Sequence, residues 1–131
     1  MIRVQNIIRG GLLLLLLASC DGGPKAGELV LELTTPRQDD GAIAFTVTAA
    51  EGVEIVSLAP ACDGCQAFSH LVSATELRGV VIGELAAGAI ARLHVSDMRD
   101  PVRYTVAIRE VARRDVSLTS AAPYQLTPVA P

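Results

Sequence analysis

The stretch ELVLELTTPRQDDGAIAFTV, Glu28–Val47, decides the fold. Leu29, Leu31 and Leu33 recur at every second position, Pro36–Gly41 interrupts them with turn formers, and Ile43, Phe45 and Val47 resume the same period. Side chains return to one face every two residues in a strand, so the stretch predicts two half-buried strands joined by a turn.

Working outward, short apolar runs recur at Val53–Leu58, Phe68–Ser73, Leu77–Ile82, Ala89–Val95, Val102–Ile108, Val116–Leu118 and Tyr124–Val129. Seven to nine short strands with turn chemistry between them predict an all-β chain, a single antiparallel β-sandwich over residues 28–131. The sharpest alternation sets Val102, Tyr104, Val106 and Ile108 inward against Arg103, Thr105, Ala107 and Arg109 outward, one buried face and one wet face. That pattern favours antiparallel pairing. Turns are expected at Asp39–Gly41, Glu51–Gly52, Asp63–Gly64, Ala87–Gly88 and Asp97–Pro101. Gln66–Leu77 also fits a helical spacing, with Gly79 as a stop, but the β-branched content around it favours strands.

The order GELVLELT, DDGAIAFTV and GELAAGAIARLHV resembles cohesin-like and other immunoglobulin-like β-sandwich modules of bacterial envelope proteins. The resemblance implies a sandwich used for adhesion or assembly and carries over no site residue.

Ahead of this domain, Arg3 and Arg9 form a positive segment, and Leu12–Leu17 an unbroken apolar run too short to span a bilayer. Leu17-Ala18-Ser19-Cys20 resembles the lipobox of bacterial lipoproteins. The resemblance implies cleavage before Cys20, a diacylglyceryl thioether on its sulfur and an N-acyl (palmitate) chain. Each buried methylene contributes about 0.8 kcal/mol, and more than one chain is needed for a stable anchor. Asp21 resembles the inner-membrane retention signal of some lipoproteins. The expected organisation is a signal peptide over 1–19, a lipidated cysteine with a flexible Gly/Pro-rich tether over 20–27, and the sandwich beyond. A plain secretory signal with an incidental cysteine is the alternative.

Two of the 11 basic residues lie in the leader and all 14 acidic residues follow it, so the formal charge of −3 becomes −5 once residues 1–19 are removed. An acidic domain argues against nucleic acid as a partner. With only Phe45, Phe68, Tyr104 and Tyr124 as aromatics, few platforms exist for stacking a sugar or base.

Cys62-Asp63-Gly64-Cys65 is the one local motif that stands out. Behind a secretory leader the default is a disulfide, worth about 2 kcal/mol for so small a ring, enough to pin a loop and too little to hold a domain. A redox dithiol needs a helix N-terminus or a cation to lower a thiol pKa. A zinc site would draw on Cys62, Cys65 and His70, with His94 as a fourth ligand. Covalent haem attachment is excluded because Gln66, not histidine, follows Cys65. Apart from the metal reading, His70 and His94 are expected as exposed or hydrogen-bonded strand residues. Asp39, Asp40, Asp97 and Asp100 carry oxygens of the kind calcium takes, but aspartate in turns ordinarily satisfies backbone groups. Arg103, Arg109, Arg113 and Arg114 make a basic stripe that suits anionic headgroups, or a solvated face paired with Glu110 and Asp115.

No nucleophile elbow, zinc-protease motif, phosphate loop or dinucleotide fingerprint occurs, so no catalytic residue and no cofactor is expected. The sequence points to a lipid-anchored binding or structural module on the periplasmic or outer face of the cell envelope. Its membrane contact runs through Cys20, and its partner is an envelope protein or wall component. An envelope thiol-disulfide or metal-binding protein using Cys62 and Cys65 is the alternative.

Overall fold

A computed structural model describes residues 22–131. The leader, the lipobox and its Cys20, and Asp21 lie outside the described residues. Nine strands form two antiparallel sheets: β1 (Gly27–Thr34), β2 (Asp40–Ala49), β3 (Ile55–Pro60), β4 (Gln66–Ser73), β5 (Glu76–Leu85), β6 (Gly88–Val95), β7 (Tyr104–Arg113), β8 (Leu118–Thr119) and β9 (Gln125–Val129). The four-stranded sheet runs β3-β6-β1-β9 and the five-stranded sheet β4-β5-β2-β7-β8. The chain is all-β, as the period-two pattern requires. Among the described residues no helix is long and apolar enough to cross a membrane.

The two strands of the opening stretch do not pair with each other. β1 lies between β6 and β9, and β2 lies between β5 and β7 in the other sheet. The Pro36–Gly41 connection therefore carries the chain across the sandwich. Leu29, Leu31 and Leu33 from one sheet and Ile43, Phe45 and Val47 from the other are all buried in the single core between them. Burying each such side chain contributes about 1.5–3 kcal/mol against leaving it in water. Leu77, Val81, Leu93 and Val95 complete the same layer.

Gln66–Leu77 is a strand pair, not a helix: β4 and β5 form a hairpin with Leu71 opposite Leu77. Gly79 stops nothing. It sits inside β5 facing the core, where an added Cβ would lie 2.9 Å from both Leu58 Cδ2 and Phe45 Cζ. Its missing side chain is the space that the Phe45 ring fills.

Val102 departs from the expected inward row. Pro101–Arg103 form a 3₁₀ turn capped by Asp100, whose carboxylate accepts from the Val102 N–H, and the Val102 side chain is 86% exposed. Proline presets the backbone for such a turn, so the buried row starts only at Tyr104.

Candidate functional site

Cys62 and Cys65 lie at disulfide distance, Cα to Cα 5.5 Å, in the loop joining β3 to β4. That loop passes from the edge of one sheet to the edge of the other. The Ala61 N–H donates to the Ile90 carbonyl at 3.0 Å, and Cys65 packs against Gly83 so closely that an added Cβ there would meet Cys65 Cβ at 2.9 Å. Gly83 also has φ 154°, a conformation side chains disfavour. The pair thus pins a crossing between sheets onto a kink in β5.

The strand β4 begins at Gln66, so among the described residues no helix starts at the cysteines to lower a thiol pKa. The zinc set is not brought together. His70 stands five residues along an extended strand from Cys65, about 16 Å away, and His94 is on β6 in the opposite sheet, across from Glu28 and Ser57. Among the described residues no group of three or more His, Cys, Asp or Glu side chains is placed to hold a metal ion.

The acidic turn residues have separate structural tasks. Asp97 accepts from Arg99 Nε at 2.9 Å, from Arg99 Nη2 at 2.7 Å and from the backbone N–H groups of Lys25 and Arg99. These bonds, the Arg99 side chain foremost, hold its carboxyl well below the usual carboxylate range. The Tyr104 hydroxyl donates to the Asp97 carbonyl at 2.8 Å. The Lys25 carbonyl in turn accepts from the Met98 N–H, so the segment expected as a tether meets the domain at Lys25.

Asp40 is fully buried, not a surface turn former. Its two oxygens accept from the Tyr124 hydroxyl at 2.7 Å and the Thr35 hydroxyl at 2.6 Å. Burial, the largest cause, and the bond to Asp40 both raise the Tyr124 pKa. The basic stripe divides: Arg113 is bound to Asp39, and Arg103 donates to the Glu51 carbonyl at 2.7 Å, leaving Arg109 and Arg114 exposed.

What the alternation conceals is the outer face of the five-stranded sheet. Register places Gln66, Ile82, Ala42 and Ala112 in one cross-strand row and Phe68, Val80, Ala44 and Glu110 in the next. These rows are expected to be wet, yet they are mostly apolar, with Phe68 55% and Ile82 44% exposed. Two shallow depressions open over them, one floored by Ala44, Phe68 and Val80, the other by Ala42, Ile82 and Ala112. Arg78 and Arg109 border the first and Arg114 the second. Contiguous apolar surface rimmed by polar groups marks an interaction site more often than a solvated face. The signal was present in the sequence as the absence of charge at Ala42, Ala44 and Thr46, the outward positions of β2.

No family model, curated protein or solved structure matches the chain. The geometry therefore stands alone: polar clusters that hold loops, and an apolar sheet face suited to non-covalent contact.

Proposed function

We propose that the chain is a lipid-anchored binding module of the cell envelope, held through Cys20 at the periplasmic or outer face of a membrane. The outer face of the five-stranded sheet is its contact surface. The observation that carries the reading is the pair of apolar rows on that face. The lipobox-like Leu17–Cys20 supports the anchor, because β1 starts at Gly27, seven residues after the lipidation position. The fitting partner is an envelope protein or wall component with an apolar surface, and no catalytic step is assigned.

Two measurements test the two halves. Labelled palmitate should enter the full chain expressed in cells and be lost in Cys20→Ser; incorporation that survives the substitution refutes the anchor. A photo-crosslinking side chain at Val80 or Ile82 should capture a discrete envelope component that the same group at Glu32, on the other sheet, does not. Equal background at both positions refutes the contact surface.

A further inference from the structure

The chain enters the domain along a bound segment. The Gly22 carbonyl accepts from Arg99 Nη1 at 3.1 Å, the Lys25 N–H donates to Asp97 Oδ1 at 3.3 Å, and the Lys25 carbonyl accepts from the Met98 N–H at 2.8 Å. Arg99 also grips both carboxylate oxygens of Asp97, so one guanidinium links the β6–β7 connection to Gly22. Residues 22–25 are thus fastened to the domain at both ends and do not serve as a spacer. The end of the sandwich they meet holds the start of β1 and the β6–β7 connection. It also holds the β2–β3 connection, where the Ala50 N–H donates to the Arg103 carbonyl, and the β4–β5 turn, where the Ala49 N–H donates to the Thr75 carbonyl. From this end projects Val102, set on its capped 3₁₀ turn and 86% exposed.

We propose that this end is the face the domain sets against a lipid bilayer, with Val102 at the level of the headgroups and the strands running away from the membrane. The proposal rests on the lipidation of Cys20 put forward above. Acyl chains on Cys20 hold its sulfur at the bilayer surface, and two residues of extended chain from Cys20 to Gly22 reach at most about 7 Å. That length cannot bring the opposite end of the sandwich to the membrane, because the ten residues of β7, Tyr104–Arg113, cover about 33 Å and carry Val116 to the far side. Covalent reach, not charge, selects the lipid. Lys25, Arg99 and Arg103 share this end with Glu51, Glu54, Asp97 and Asp100, so it is no basic patch and needs no anionic headgroup. An apolar tip suits the boundary between headgroups and acyl chains. In this stance the Cys62–Cys65 loop lies at the end away from the bilayer, and the outer face of the five-stranded sheet stands upright, open sideways to a partner.

The full chain, produced in cells and reconstituted into phosphatidylcholine–phosphatidylethanolamine vesicles that carry headgroup nitroxides, reads the orientation. A fluorophore on Val102→Cys should be quenched several-fold more than one on Val116→Cys, a position equally exposed at the other end. Equal quenching, from a domain that lies on its side or tumbles, overturns the proposal, as does stronger quenching at Val116→Cys. Intact mass separates the two possible failures. A chain that carries the added diacylglyceryl and acyl groups and still quenches equally refutes the orientation alone; a chain without them refutes the anchor and this proposal with it. An insert of about ten Gly and Ser residues between Asp21 and Gly22 adds roughly 17 Å of mean reach and leaves the domain's own residues unchanged. The difference between the two labels should then shrink toward none, and a difference that the insert does not alter overturns the claim that covalent reach sets the contact.

Discussion

Replacing Gly79 by alanine adds one methyl group at a point where β5 packs against Leu58 of the other sheet and the Phe45 ring of its own. The new Cβ would lie 2.9 Å from Leu58 Cδ2, 2.9 Å from Phe45 Cζ and 3.0 Å from Phe45 Cε2. Carbon atoms rest about 3.5–4.0 Å apart, so all three contacts are too short by about half an ångström or more. Phe45 is buried with Leu77 and Val81 around the site and has no solvent to swing into. Overpacking of this kind costs about 1–3 kcal/mol, while removing a glycine returns about 0.4–1 kcal/mol by restricting the unfolded chain. The balance is a loss of about 1–2 kcal/mol, which for a domain of this size lowers Tm by about 4–9 °C. Thermal melts followed by circular dichroism measure it, with Gly22→Ala, which meets nothing within 4 Å, as the silent control. Phe45→Leu removes the two ring atoms in the way, so in that background the same alanine should cost less, a positive coupling in a double-mutant cycle. Gly79→Ala melting at or above the parent would refute the reasoning.

Tyr124→Phe strips one of the two donors from the buried Asp40 carboxylate and should cost about 1–3 kcal/mol in urea titrations; a neutral result would mean that the bond contributes nothing. Asp97 has a folded-state pKa below its unfolded value of about 3.9, so its contribution is present above that value and drains away as pH falls through the folded one. Tm of the parent should therefore drop between about pH 4 and pH 2, with a shallower fall in Asp97→Asn; parallel curves would remove Asp97 from the acid limb. Cys62→Ser with Cys65→Ser should lose about 2 kcal/mol and keep the β-sheet circular dichroism spectrum. Unfolding of that variant at room temperature would show that the loop pin is holding far more than a loop.

The strands were legible because apolar residues at every second position, from Leu29 through Leu126, report directly which face is buried. What local periodicity cannot carry is the partner on the far side of a fold. Asp40 reads as a turn aspartate until Tyr124, 84 positions away, donates into it. Arg113 likewise reads as part of a basic stripe until Asp39, 74 positions away, claims it. Val102 fits the alternation by type and misses it by geometry, since Asp100 and Pro101 build a capped turn that lifts it out. Gly79 carries the opposite lesson: as a helix stop it is a plausible letter, and only the Phe45 ring shows that its task is to be small. The outer sheet face escaped notice because alanine at positions 42 and 44 satisfies either side of an alternating strand.

The entry of the chain at Lys25 has a mechanical consequence. A pull applied at Gly22 first meets the clasp formed by Lys25 with Asp97 and Met98, and then passes into β1 at Gly27. That strand is held by β6 from Gly27 to Leu33 on one side and by β9 from Val30 to Thr34 on the other. A pull along its axis loads those ladders in shear, all rungs at once, instead of peeling them one by one as it would a strand at the margin. Single-molecule pulling from the N-terminus should record one high-force rupture in place of a staircase of small ones.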